Sequence, residues 1–240
     1  MDKDKAKIRV SFVIAVFLII LIWSIKLFEE YTHIDLSVYG VYPRSVSGLK
    51  GVLFSPLIHS DFSHLISNST TLFILTFSLF YLYTKSAVRV FFIIYILHGV
   101  FVWIFARESY HIGASGLIYG YVGFLFFIGL FRKDSRSIAI SLLVIFLYGG
   151  LVWGILPTDP HISFEAHLAG GIIGSLCSIF FRKTDPLPEK YEWDYYDDDE
   201  EDDSSFEDDI NPDDIKIEED AQPLWFSTYS YPVKKHKKNK

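Results

Sequence analysis

The chain has 240 residues, 50% of them hydrophobic and 18% aromatic, yet 22 basic and 29 acidic side chains leave it with a net charge of −7. So apolar an average beside so much charge excludes an evenly patterned soluble domain and requires the two to be segregated along the sequence. Residues 1–184 carry 15 Lys and Arg against 10 Asp and Glu, a balance of +5, whereas residues 185–240 carry 7 against 19, a balance of −12.

That division sets two regions, an apolar body over 1–184 and an acidic tail over 185–240. No nucleic-acid partner is expected of this charge distribution. The lone cysteine, Cys177, lies in an apolar run, which excludes an intrachain disulfide and a cysteine-based zinc site.

Taken in chain order, the apolar runs read as membrane spans, because about 20 apolar residues in a helix cross the roughly 30 Å hydrocarbon layer. The first, 10–28, follows Lys3, Lys5, Lys7 and Arg9. No small-residue cleavage site follows it, so it is expected to be a retained anchor and not a signal peptide. The others are 65–83, 88–106, 113–131, 138–156 and 164–181. The second and sixth are the least apolar, holding Ser67, Asn68, Ser69, Thr70 and Thr71 in one and Glu165 and His167 in the other. Polar groups in lipid are costly and face a bundle interior or a water-filled cavity. Chemistry is therefore sought in those two helices.

With the N-terminus in the cytoplasm, 11 basic residues of the body fall inside and four (Lys26, Arg44, Lys50 and Arg107) outside, the arrangement that basic loops favour. Six spans then bring the C-terminus inside too, and 29–64 becomes a long external loop. In the tail, Tyr195 to Asp203 is a like-charge block that repels itself, and disorder is expected of it. At its end, 225–240, Trp225, Phe226, Tyr229 and Tyr231 precede five lysines, a pattern suited either to an anionic lipid surface or to plain solvation.

Three polar clusters lie near the external membrane surface. The first is Gly113-Ala114-Ser115-Gly116, a serine flanked by glycines, with Tyr119 four residues on along the same helix face. The second is Ala166-His167 followed by Gly170, Gly171 and Gly174, a histidine at the outer end of a small-residue stripe on which another helix can pack. The third is His59-Ser60-Asp61-Phe62-Ser63-His64 with Asn68. His64 and Asn68 share a face and could donate hydrogen bonds to an oxyanion. The same cluster also reads as a helix cap, with Asp61 or Ser63 as N-cap, or as metal ligands. Small-residue packing and a satisfied lone histidine, as for His98, are the structural alternatives for the other two. Together the clusters supply nucleophile, base and oxyanion donors.

The ordered set His64-x-x-x-Asn68, Gly113-x-Ser115-Gly116 with Tyr119, and Ala166-His167 with Gly170 and Gly174 resembles the rhomboid family of intramembrane serine proteases. The resemblance spans about 10–183 and implies an all-α bundle of six transmembrane helices. It further implies a Ser115–His167 catalytic dyad and an oxyanion hole of His64, Asn68 and the Ser115 N–H near Gly113. Tyr119 would pack on His167, and His59 would be a structural histidine. No cofactor or metal is implied, and the implied partners are transmembrane protein substrates and the lipid bilayer. Six spans without an added domain or an evident organelle-targeting segment lead to the expectation of a prokaryotic plasma membrane. One departure concerns 29–64, where many members carry a Trp-Arg pair and this chain reads Gly48-Leu49-Lys50-Gly51-Val52. A catalytically inactive relative that binds membrane proteins is the rival reading, and a transporter is a weaker one. Among bases, His111 competes with His167 but is expected in a short, solvent-facing loop. Asp159 is the acidic residue that could orient His167.

Overall fold

A run of some 20 apolar residues in lipid must satisfy its backbone hydrogen bonds internally, and a helix does so without a partner. The computed structural model describes residues 3–159 and 162–187. Among them, six helices are long and apolar enough to cross a membrane. These are α1 (Lys3–Thr32), α3 (Phe62–Leu82), α4 (Ala87–Phe105), α5 (Ser115–Arg132), α6 (Ser135–Tyr148) with its 3-10 continuation Gly149–Ile155, and α7 (Phe164–Phe181); the short α2 (Gly51–Phe54) precedes α3. The chain is an all-helical, multi-pass membrane protein. Residues 188–240, including most of the acidic tail and the 225–240 segment, lie outside the described residues.

The helix ends depart from the apolar runs for local reasons. α3 starts at Phe62 because Asp61 is its N-cap, accepting from the His64 amide at 2.9 Å. α5 starts two residues into its run because Gly113 sits at φ 110°, outside helical space and suited to glycine. It ends at Lys133 in the left-handed region, whose N–H closes on the Gly129 carbonyl. The expected span 138–156 is α-helical only to Tyr148. At Gly149-Gly150 it tightens into the 3-10 segment, a break the glycine pair favours.

α5 is the central helix, packed most extensively against α7 and also on α6, α3 and α4. Its Tyr121, Phe124, Leu125 and Ile128 are fully buried with Leu65, Leu72, Leu75 and Leu79 of α3 and Ile94 of α4. The α5–α7 contact is nearly backbone on backbone. A Cβ at Gly170 would strike the Gly116 carbonyl and one at Gly174 the Gly120 carbonyl, while one at Gly123 would come within 2.6 Å of the Gly171 oxygen. Small residues on both faces allow this approach.

The segment between α1 and α3 is anchored although it lacks a Trp-Arg pair at 48–52. Trp103 of α4 donates its indole N–H to the Ser45 carbonyl at 2.8 Å, and Arg44 donates to the Ala106 carbonyl at 2.8 Å, just past the end of α4. A tryptophan and an arginine thus tie this segment to α4 from other positions, with Arg44 meeting carbonyls that a helix end leaves unpaired. Val41 and His111 exchange backbone bonds at 3.0 and 2.9 Å, drawing the same segment to the loop before α5. Buried Lys26 of α1 pairs with Glu29 at 2.9 Å and donates to the Ser60 carbonyl at 3.0 Å. At the other end of the bundle, Asp185 is buried and accepts from the Lys85 amide and the Ser86 hydroxyl at 2.7 and 2.5 Å.

Candidate active site

Ser115 is the first residue of α5 and His167 lies in the first turn of α7, so the tight α5–α7 packing sets their separation. The Ser115 Oγ is 2.8 Å from His167 Nε2. On its other side the imidazole Nδ1 is 2.8 Å from the Gly154 carbonyl oxygen. A carbonyl can only accept, so Nδ1 carries the hydrogen and Nε2 presents its lone pair to the serine hydroxyl. That is the tautomer a general base requires. Tyr119 stacks on the ring with centroids 4.1 Å apart and planes 8° from parallel, and its hydroxyl donates to the Leu151 carbonyl at 2.7 Å. The 3-10 segment Gly149–Ile155 therefore holds both aromatic rings through two backbone oxygens.

Asp159 is not the group on Nδ1, since the Gly154 carbonyl holds that position. His111, expected to face solvent, is buried with both ring nitrogens engaged, Nδ1 with the Ser163 hydroxyl at 2.6 Å and Nε2 with the Arg107 carbonyl at 3.0 Å. The Val41–His111 bridge draws it under the external segment, and burial keeps its pKa below the ordinary histidine value. It staples the 107–113 loop to the start of α7. Glu165 turns away from His167 to the Arg107 guanidinium, 3.7 Å away. His98 is a core histidine with its Nδ1 on the Ile94 carbonyl at 2.8 Å, and it presses on Gly116, where a Cβ would lie 2.5 Å from its ring.

His64, Asn68 and Gly113 come together beside the serine. A Cβ placed on Gly113 would lie 2.9 Å from His64 Nε2 and 3.8 Å from Asn68 Nδ2, so the missing side chain lets the His64 ring close on the backbone there. The Asn68 amide nitrogen is buried and has no hydrogen-bond partner among the described residues. A buried donor left unspent is costly unless a ligand completes it. The Ser60 hydroxyl donates to Asp61 at 2.7 Å and is left to accept from His64 Nδ1 at 3.2 Å. His64 can then donate from Nε2 only as the imidazolium, whereas Asn68 needs no proton rearrangement.

His59 supports the loop under the site. It is 1% exposed, and its Nε2 accepts from the Ala114 amide at 3.5 Å, a bond that requires the neutral ring. Burial lowers its pKa from 6.5 to about 4. The unfolded chain, with the ordinary value, takes up the proton first as pH falls. His59 therefore leaves stability at its full value above about pH 6.5 and lowers it through the window from 6.5 to 4, by about 3 kcal/mol at the low end. Thermal unfolding in detergent at pH 7.0, 5.5 and 4.5 should follow this slope, and His59→Gln should flatten it.

The sequence of the Rhomboid domain family matches residues 47–184 of this chain. An uncharacterized protein of Mycobacterium tuberculosis (strain H37Rv) is 34% identical over 163 residues, covering 64% of this chain and 68% of its own, and one of Mycobacterium bovis matches equally. An uncharacterized protein of Mycobacterium leprae is 29% identical over 182 residues, covering 70% and 72%. With its six spans and a family match over more than half its length, the chain belongs to the rhomboid family.

Proposed function

We propose that this protein is an intramembrane serine endopeptidase that cleaves transmembrane segments of other membrane proteins, with Ser115 as nucleophile and His167 as general base. The observation that carries this reading is the 2.8 Å contact between Ser115 Oγ and His167 Nε2, with Nδ1 committed to the Gly154 carbonyl. A serine hydroxyl is a poor nucleophile until a positioned base removes its proton.

In acylation, Ser115 Oγ attacks the scissile carbonyl carbon while its proton passes to His167 Nε2. The imidazolium that forms keeps its Nδ1–H on the Gly154 oxygen. The oxyanion accepts from the Asn68 amide and from N–H groups at the start of α5, where the helix end leaves donors unpaired and favours negative charge. Collapse expels the amine, which takes the proton from Nε2. Water then enters, loses a proton to His167 and attacks the acyl carbon, and Ser115 recovers its proton as it leaves. Because a helix shields its peptide bonds, substrates should unwind near the level of the dyad, where small or helix-breaking residues lower the cost. The excess of basic residues on one side supports a dyad at the external face and cytoplasmic N- and C-termini, and the mycobacterial relatives support a prokaryotic plasma membrane.

The test is labelling of the purified protein with a fluorophosphonate serine probe. Wild type should label, and His167→Ala should lower the labelling rate at least about 10³-fold while the thermal midpoint stays close to that of wild type. Equal labelling of both proteins would refute activation by His167. No labelling of wild type beside a labelled active serine protease of the same family would favour a non-catalytic membrane-protein binder.

A further inference from the structure

α6 and α7 each pack on α5 and hardly meet each other, so the bundle is open between them. The opening is a cavity of about 500 Å³ floored by α5 and walled by α6, the 149–155 segment and α7. Its surface is built from side chains such as Phe126, Phe127, Val144, Ile145, Ile172 and Leu176. Three hydroxyl-bearing residues, Tyr119, Tyr148 and Ser175, border it, and the hydroxyls of Tyr119 and Ser175 are already spent on the Leu151 and Gly171 carbonyls, both at 2.7 Å. Such a lining suits hydrocarbon.

Size narrows the occupant. A helix about 10–12 Å across displaces roughly 400–600 Å³ per turn, so the cavity cannot enclose a spanning helix. A single acyl chain is of the right scale. Charge narrows it further. Phe131 and Ile179 line the cavity towards the end of the bundle where α5 and α7 finish, and directly after them stand Lys133, Arg182 and Lys183, all exposed. Arg132 holds the two termini together, donating to the Arg182 carbonyl at 3.4 Å, and its own charge is met by Asp134 at 2.9 Å. Among the described residues, Lys133, Arg182 and Lys183 have no acidic partner.

We propose that this groove binds one anionic diacyl phospholipid, with an acyl chain between α6 and α7 and the phosphate at Lys133, Arg182 and Lys183. The site does not depend on Ser115 being a nucleophile, although the two share a wall, the 149–155 segment that carries the Leu151 and Gly154 carbonyls. Gly171 offers a means to close it, because it lines the groove and a Cβ there would meet nothing within 4 Å. A side chain at 171 therefore starts into the cavity from a Cβ that meets no protein.

Native mass spectrometry of the full-length protein in detergent micelles, titrated with dioleoyl-phosphatidylglycerol or dioleoyl-phosphatidylcholine, tests this. Wild type should retain one phosphatidylglycerol at a lipid fraction roughly tenfold below that needed for phosphatidylcholine. The Lys133→Gln/Arg182→Gln/Lys183→Gln variant, altered only at exposed positions, should bind the two lipids equally. Gly171→Phe should retain neither. Equal binding of both lipids by wild type, or an undiminished preference in the triple variant, overturns the headgroup assignment. Undiminished retention by folded Gly171→Phe overturns the groove. A dimer in place of bound lipid assigns the face to a second copy of the chain.

Discussion

Ser115→Ala should abolish cleavage of a transmembrane reporter substrate, with a loss of at least about 10³-fold, and leave the fold intact. The Ser115 hydroxyl makes its hydrogen bond to His167, and at the first position of α5 alanine is a better helix former than serine. Stability should therefore stay within about 1 kcal/mol of wild type, the ordinary worth of one hydrogen bond. The double variant Ser115→Ala/His167→Ala should be no slower than either single one, because a nucleophile and its base act as a unit. Reporter cleavage by gel, with the thermal midpoint beside it, decides the matter. Activity within about tenfold of wild type in Ser115→Ala would remove this serine from the mechanism.

The largest effect on folding is expected of Gly174→Val. A Cβ at 174 meets the Gly120 backbone carbonyl, and backbone cannot turn aside as a side chain can. Valine adds two further methyls, so α5 and α7 must separate along the contact that sets the Ser115–His167 distance. Overpacking of a well-packed core costs about 1–3 kcal/mol and more where no rotamer gives relief, so a loss at or above about 3 kcal/mol is expected. Gly171→Ala, one helical position from Gly170 but facing open space, should stay within about 0.5 kcal/mol of wild type. Denaturation in mixed micelles measures both. If Gly174→Val were as stable as Gly171→Ala, the glycine stripe would not be what joins these helices. In a folded but separated Gly174→Val protein, probe labelling should fall together with stability, linking the packing to the dyad.

The spans were legible because lipid permits few solutions. An apolar run of about 20 residues has one low-energy form, so length and polarity alone located all six helices to within a few residues at most ends. The glycine stripe on α7 was legible as a close-packing face for the same reason, and it brings His167 to Ser115. The beginnings of α3 and α5 were less so. Asp61 and Ser63 were equivalent caps by residue type, and which one caps α3 depended on the path of the preceding chain. Gly113 lay in an apolar run, and nothing in that run marks a φ of 110°.

Residue order alone reveals the set of chemical groups and their approximate depth: a serine, histidines and an asparagine, all near one end of their helices, in a bundle of six. How those groups are oriented depends on the folded chain. The Gly154 and Leu151 carbonyls that hold His167 and Tyr119 belong to the backbone, which every residue carries, so no residue type announces them. The loop position of His111 points to solvent, but the Val41–His111 pairing, between residues 70 positions apart, buries it. The open groove between α6 and α7 is likewise a property of how three helices lean, and each of them alone is only an apolar helix. Residue type sets what a side chain can do and hydropathy sets its depth. Which partner it meets is settled where distant parts of the chain return to one place.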